Sequence, residues 1–365
     1  MTYLLIDTLI AGLPLLPVVM GIYLIVRIRQ DFDLTVDGSF TLAGAVTVVL
    51  LTDQVPVPIA MAAAVAAAAC AGLVTTTLHL ALRMPVILAG LVMSIGMITL
   101  NLRVLGAPSV SLADNTTMFS WFDGLSAQAR DWAMIGLTAA VVGLFLLAVG
   151  YLLRTEVGLA LRATGVNPLM ARAQGVDDRR SLALCLALAN GSAGLSGSLV
   201  VQSQGFADSS GGTGMLLAGV GAVMLGELIG RPRGSSAVGR ILLSVLIGTL
   251  VYRLVLVGAL RVGLAATDLA GITALPLIIA VAANRLLPEV FRLVPRRAAP
   301  PGGAPSPAAV PAALPAAAPS PAASSPPSSS PSPSAPAPRP AAEDGHRPSV
   351  GASVAAPTRE GSSDA

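Results

Sequence analysis

The sequence predicts an all-α, polytopic membrane protein with about eight or nine transmembrane helices, some of them short and broken, followed by a disordered tail. Apolar residues make up 54% of the chain and charged residues 11%, whereas an ordinary soluble domain has about 25% charged residues. Many of the apolar runs approach the roughly 20 residues that a helix needs to cross a bilayer. Residues 1–298 are almost continuously hydrophobic, and residues 299–365 are mostly Pro, Ala and Ser.

Nine apolar segments are predicted to be helices at or near membrane-spanning length. The first has no basic residues before it and no clear cleavage site, so we interpret it as an uncleaved span rather than a signal peptide. The second and seventh are short and contain Gly. The segments are 4–26, 38–52, 55–78, 84–102, 132–153, 181–203, 212–230, 238–259 and 267–285.

The basic residues, all 22 of them Arg, are unevenly distributed between the connections. If the N-terminus lies outside and the chain crosses nine times, the inner connections carry most of the Arg, as cytoplasmic loops do. This predicts an outer N-terminus and a cytoplasmic C-terminus. The outer connections carry Arg103, Arg130 and Arg261. The inner ones carry Arg27, Arg29, Arg83, Arg154, Arg162, Arg172, Arg179, Arg180, Arg231, Arg233, Arg240, Arg285, Arg292, Arg296 and Arg297.

Residues 299–365 are predicted to form a disordered tail separate from the membrane domain 1–298, either merely solvated or binding a partner.

Composition also excludes several classes of protein. The net charge of +3 gives no reason to expect nucleic acid. Cys70 and Cys185 both lie in apolar runs, so no disulfide is expected. The sequence contains no GxSxG, HExxH, CxxC or P-loop motif, so neither an enzyme nor a metal site is predicted.

The connection 154–180 is too polar to span a membrane and is predicted to lie at the inner surface. Two short amphipathic helices are expected, 157–163 and 168–174, with Asn167 as the N-cap of the second and Pro168 at its first position. Gly165 and Gly175 should mark their ends. Such a pair suits docking of a cytoplasmic partner, and an interfacial helix lying on anionic lipid is the alternative.

Acidic residues lead into the second segment. Asp31, Asp33 and Asp37 lie so close to a span that they would be costly unless they face water or a partner. The Gly38-Ser39 step is a candidate helix break at membrane depth, as in many transporters, and a plain surface loop is the alternative. Asp37 and Ser39 are therefore candidate residues of a translocation pathway.

Small residues recur in the sixth segment. Asn190, Gly194 and Ser198 are spaced by four, as are Ala193 and Gly197, which predicts close helix packing. A pathway-lining role for Asn190 is the alternative. The polar stretch that follows is either the outer mouth of a translocation pathway or a simple loop. Its candidate residues are Gln202, Gln204, Phe206 and Asp208.

Two charged residues fall inside later apolar segments. Glu227 has Arg231 four residues on, which is the favoured spacing for a helical ion pair. Arg253 lies inside the eighth segment, where it could snorkel outward, pair with Asp268 or face the pathway. Arg253 is therefore also a candidate pathway residue.

These stretches resemble the ABC transporter permeases of the branched-chain amino acid group. Residues 33–40 are similar to the start of the second span in that family, and residues 161–176 to its cytoplasmic coupling loop. The resemblance covers roughly residues 1–290. Two features depart from it: Ala270 stands where a Lys is frequent, and the tail is not part of the family core. Further similar stretches are 190–197, 202–208, 226–227, 252–254 and 268–274.

The resemblance implies a bacterial plasma-membrane protein that moves a small organic solute, an amino acid or related compound, into the cytoplasm. Two permease subunits, expected as a homodimer, would form the pathway, and an extracytoplasmic substrate-binding lipoprotein would deliver the solute. Separate cytoplasmic subunits would bind and hydrolyse ATP, so the permease itself would hold no cofactor. Those subunits would contact Arg162, Ala163, Thr164, Gly165, Asn167, Pro168, Met170, Ala171 and Gly175.

Other functions remain open on the sequence. An ion-coupled carrier would be controlled by an intramembrane charge such as Glu227 or Arg253. A non-transporting scaffold would act through its tail. The same ABC mechanism could also import a sugar or a nucleoside instead of an amino acid.

Overall fold

The computed structural model describes residues 2–113, 115–229 and 237–263, together with residues 271, 278 and 282. These ranges hold eleven α-helices, two 3₁₀ turns (Leu13–Leu15 and Ser120–Phe122), a π-helical segment (Leu24–Arg29) and a two-stranded ribbon. The helices are α1 Thr2–Gly12, α2 Leu16–Tyr23, α3 Thr35–Thr52, α4 Val57–Leu82, α5 Val86–Leu105, α6 Ala127–Leu152, α7 Glu156–Val166, α8 Pro168–Ala173, α9 Asp178–Gln204, α10 Met215–Ile229 and α11 Ala237–Arg261.

Seven helical runs in the described ranges are long and apolar enough to cross a membrane. The first, Tyr3–Arg29, joins α1, α2 and the π-helical segment, and the others are α3, α4, α5, α6, α9 and α11. The short α10 is also apolar, but its 15 residues extend only about 22 Å. This confirms the all-α, multi-pass fold class. The predicted tail and nearly all of the ninth predicted segment lie outside the described residues.

The central helix is α9, which packs against α2, α3 and α4. Its small residues allow close contact, as predicted: a Cβ added at Gly194 would lie 2.6 Å from the Ala68 Cβ, and one at Gly197 would lie 2.2 Å from the Phe40 carbonyl oxygen. Helix α3 runs parallel to α9, because hydrogen bonds join Ser39 to Asn190 and, eight residues further along both helices, Thr47 to Ser198.

Two features mark the opposite ends of the bundle. Helices α7 and α8 directly precede α9, whereas strand β2 (Phe206–Asp208) directly follows it and pairs antiparallel with β1 (Ser109–Ser111). We call these the docking end and the ribbon end. The 27 residues of α9 separate them by about 40 Å.

Candidate functional site

The first candidate feature is the interruption between the first span and α3. The π-helical segment ends at Gln30, which adopts a left-handed conformation with φ 63°, and the chain stays non-helical until α3 begins at Thr35. Early in α3, Ser39 donates a hydrogen bond to Asn190 at 2.7 Å. Asn190 lies about 18 Å from the start of α9 and about 21 Å from its end. Helix α3 therefore begins well inside the bundle.

The position of this interruption differs from the prediction. A break at the Gly38-Ser39 step was wrong, because both residues lie within α3. Gly38 instead allows α5 to approach, since a Cβ added there would lie 2.8 Å from the sulfur of Met97. The non-helical stretch is 30–34, just before the helix.

Asp33 and Asn190 form a buried polar pair between this interruption and α9. Both side chains are fully buried. Asp33 accepts hydrogen bonds from the Thr35 amide at 2.9 Å and from the Asn190 side-chain amide at 2.8 Å. Asn190 also donates to the Leu186 carbonyl at 2.9 Å, so its acceptor and both its donors are used. The prediction missed Asp33, although its signal was present in the acidic run before the second segment.

Asp37 joins α3 to the start of α10. Its two carboxylate oxygens accept hydrogen bonds from the backbone amides of Gly214 at 3.0 Å and Leu216 at 2.7 Å. A carboxylate at a helix N-terminus satisfies amides that lack helical partners and complements the helix dipole. Thr41, one turn further along α3, accepts from the Gly212 amide at 2.9 Å. Helices α3 and α10 thus begin next to each other inside the bundle, an arrangement that transporters use around solute sites.

A cavity of about 190 Å³ lies at the ribbon end, lined by residues of α3, α9 and β2. Three of the eight predicted pathway residues, Gln204, Phe206 and Asp208, line it. Gln202, from the same stretch, does not: it is buried, accepts from the Met118 amide at 3.0 Å and holds the long connection after α5 against α9. The remaining lining residues are Phe40, Thr41, Gly44, Val200, Val201, Ala207, Gly211 and Met215.

Helices α7 and α8 form the predicted helix pair at the docking end. Asn167 caps α8 by accepting from the Met170 amide at 3.0 Å, with Pro168 at the first helical position, and Gly175 has a left-handed φ of 83°. These three details confirm the prediction. Gly165 is the second-last residue of α7 and so marks its end, as predicted. A Cβ there would lie 1.7 Å from the Ile28 carbonyl oxygen, so α7 rests directly on the π-helical segment.

The predicted coupling residues face two directions. Thr164, Gly165 and Ala171 are buried against the bundle, and Arg162 is half-buried and donates to the Leu153 carbonyl at 3.0 Å. The exposed ones are Ala163, Asn167, Pro168, Met170 and Gly175.

The prediction missed two residues of the apolar surface on this helix pair. Val166 and Leu169 are 79% and 75% exposed and lie beside the exposed Met170. We call these three residues the docking surface. An exposed apolar cluster outside the membrane-spanning runs marks a contact site for another protein or for the membrane surface.

The two predicted intramembrane charges have different surroundings. Glu227 forms an ion pair with Arg27 of the π-helical segment, and its predicted partner Arg231 lies outside the described residues. The Arg253 Nε has no hydrogen-bond partner among the residues described, and the side chain packs beside Gly12 of α1. It does not line the cavity at the ribbon end. Its predicted partner Asp268 also lies outside the described part of the chain.

Comparison with known proteins agrees with this architecture. The profile of the family described as branched-chain amino acid transport system, permease component, matches residues 4–282. The tyrosine transport system permease protein of Clostridioides difficile (strain R20291) is 26% identical over 271 residues, covering 73% of this chain and 86% of that protein. An uncharacterized protein of Rickettsia prowazekii (strain Madrid E) is 29% identical over 227 residues, covering 62% of this chain and 77% of that protein. No solved structure matches the chain.

Proposed function

The chain belongs to the family of branched-chain amino acid transport system permease components, and on that premise we propose that it is the membrane subunit of an ATP-powered amino acid importer. One observation carries the proposal: an exposed apolar docking surface and a small polar-rimmed cavity lie at opposite ends of the central helix α9. A transport subunit driven by a separate ATPase needs such a pair, one site for the partner and one for the solute.

The docking end is the cytoplasmic end in this proposal. Basic residues concentrate there, as they do on the cytoplasmic side of membrane proteins. The ATPase subunits bind ATP and contact the docking surface, and the permease holds no cofactor. The N-terminus then lies outside and the C-terminus inside the bacterial plasma membrane. Arg29, Arg83, Arg154, Arg162, Arg172, Arg179 and Arg180 lie at or near this end.

The ribbon end then faces outward, where a substrate-binding protein delivers the solute. A second copy of the chain completes the pathway as a homodimer.

An amino acid suits the cavity better than a sugar or a nucleoside does. Phe40 and Phe206 are among the residues that line it, and Thr41, Gln204 and Asp208 supply polar groups. A cavity of about 190 Å³ is smaller than the roughly 300 Å³ or more of sites for drug-sized ligands. Apolar walls with a few polar groups match a small zwitterion that carries an apolar or aromatic side chain. The name of the Clostridioides difficile relative, a tyrosine transport protein, points the same way.

The proposal is tested by reconstitution. The full chain is purified from its own membranes with any bound ATPase and substrate-binding protein, placed in liposomes and assayed for uptake of radiolabelled L-tyrosine and L-leucine. We expect uptake only with ATP. Leu169→Asp should abolish ATPase capture, whereas Leu125→Asp, at an exposed Leu near the ribbon end, should not. Uptake driven by an ion gradient without any ATPase would contradict the proposal and indicate a carrier.

A further inference from the structure

Helices α7 and α8, which we call the docking helices, contact the membrane-spanning bundle at the π-helical end of the first span. We propose that Arg172, Asp178 and Arg29 are positioning residues that connect these helices to segment 30–34 and so to the buried Asp33–Asn190 pair. Movement of the docking helices would then shift the start of α3. This inference rests on the proposed function, because it describes how an ATPase partner at the docking surface acts on the pathway.

The connection consists of one carboxylate shared by two guanidinium groups. One oxygen of Asp178 accepts from Arg172 of α8 at 2.7 Å, and the other accepts from Arg29 at 2.7 Å. Arg29 also contacts Asp31 at 3.2 Å. The Arg29 and Asp178 side chains are only 10% and 15% exposed, whereas Arg172 is 59% exposed. The Arg29–Asp178 bond is therefore the firmer of the two, because shielded charge-assisted bonds hold geometry better than exposed ion pairs do.

A second contact fixes α7 on the same segment. Gly165 meets the Ile28 carbonyl so closely that any side chain there would overlap it. Ile28 and Arg29 are neighbours in the π-helical segment. The docking helices therefore contact this segment directly at Gly165 and indirectly from Arg172, through Asp178 of α9.

The π-helical segment is the element able to take two arrangements. Short π segments occur mostly as bulges inside α-helices, often at functional sites, because they carry one residue more than an α-helical turn. Converting one to α-helix moves the chain after it by about 1.5 Å, the rise of one residue. Such a shift would displace Asp31 and then Asp33, two residues further along.

Displacement of segment 30–34 must reach the interior of the bundle. Asp33 is hydrogen-bonded to both Thr35, the first residue of α3, and Asn190 of α9. Asp37, in the first turn of α3, holds the start of α10 through the Gly214 and Leu216 amides. The first residues of α3 and α10 are therefore connected to segment 30–34, which follows the π-helical segment that the docking helices contact.

The test measures coupling in liposomes that contain the permease and its ATPase, with the substrate-binding protein present. Asp178→Asn and Arg172→Gln should leave ATP hydrolysis within about twofold of wild type and lower L-tyrosine uptake per ATP roughly three- to tenfold. Arg172→Lys keeps the positive charge and should retain most of the wild-type L-tyrosine uptake per ATP. The matched control is Asp123→Asn, which removes an exposed ion pair between Asp123, on the connection after α5, and Arg130 of α6. A merely structural role would lower hydrolysis and uptake together.

A second measurement needs no ATPase. Asp178→Asn should raise hydrogen exchange in residues 24–34 of the full chain in nanodiscs, and Asp123→Asn should not. The inference would be overturned if Asp178→Asn exchanged in residues 24–34 at the wild-type rate. It would also be overturned if Arg172→Gln took up as much L-tyrosine per ATP hydrolysed as the wild type. Arg172→Gln decides the matter if Asp178→Asn does not fold, because it leaves the Arg29–Asp178 contact in place. Absence of ATP-dependent uptake in the wild type would instead overturn the proposed function.

Discussion

Replacing Gly165 with alanine should push α7 away from the first span. The new Cβ would lie 1.7 Å from the Ile28 carbonyl oxygen and 3.1 Å from the Arg29 Cα, whereas ordinary contacts begin at 3.4 Å. Both neighbours are backbone atoms, so no side-chain rotation can relieve the overlap. The two backbones would have to separate by roughly 1.5 Å or more to reach ordinary van der Waals contact.

The size of the effect follows from two opposing terms. Overpacking costs about 1–3 kcal/mol, and alanine in place of glycine in a helix returns about 1 kcal/mol. Because the overlap is with rigid backbone, we take the upper cost and expect a net loss of about 2 kcal/mol. The matched control is Gly143→Ala in α6, where an added Cβ meets no described atom within 4 Å.

The assay is hydrogen exchange of the full chain in lipid nanodiscs, read in residues 24–34 and 156–166. A loss of about 2 kcal/mol should speed exchange there roughly thirtyfold in Gly165→Ala if these amides exchange through separation of the two elements. Gly143→Ala should leave both segments unchanged. Equal exchange in the two variants would refute the reasoning, because the methyl group would then have been accommodated without separating the helices.

Three further predictions concern the interior and the cavity. Asn190→Ala leaves the buried Asp33 carboxylate without its amide partner and should destabilise the bundle by about 3 kcal/mol, seen as a lower thermal midpoint in detergent. Asp37→Asn weakens the cap of α10 and should cost about 1 kcal/mol, seen as faster exchange of the Leu216 amide. Phe206→Ala removes an aromatic cavity wall and should raise KM for L-tyrosine uptake roughly tenfold with unchanged basal ATP hydrolysis.

Each of these has a result that contradicts it. An unchanged midpoint in Asn190→Ala would show that the Asp33 contact contributes nothing. If the Leu216 amide of Asp37→Asn exchanged at the wild-type rate, the start of α10 would not depend on the Asp37 carboxylate. For Phe206→Ala, a change in hydrolysis without a change in KM would place the residue outside the solute site.

Local signals in the sequence were sufficient for the spans and for the docking helices. Hydrophobic runs depend on composition over about 20 residues, so eight of the predicted segments correspond to helices in the described ranges. The Asn167 cap was predicted because Asn followed by Pro favours a helix start without help from the rest of the chain.

The missed features depend on contacts between residues far apart in the chain. Asp33 and Asn190 are 157 residues apart, and Glu227 pairs with Arg27 across 200 residues. No periodicity in one sequence reveals such partners. The contact of Gly165 with Ile28 was also missed, because glycine serves both helix ends and close backbone contacts, and only the position of Ile28 reveals the second role. The predicted tail and ninth segment stay predictions.

The cap that Asp37 provides for α10 also constrains how the protein is made. The 15 residues of α10 that the structure describes are fewer than the roughly 20 that cross a hydrocarbon core, and its first amides would cost several kcal/mol each if left unpaired in lipid. Synthesis from the N-terminus brings Asp37 to the membrane long before Gly214 and Leu216 leave the ribosome. The Asp37 carboxylate is thus already in the membrane when α10 enters it. A circular permutant in which α10 is translated before α3 should insert poorly, even though every contact of the finished protein could still form.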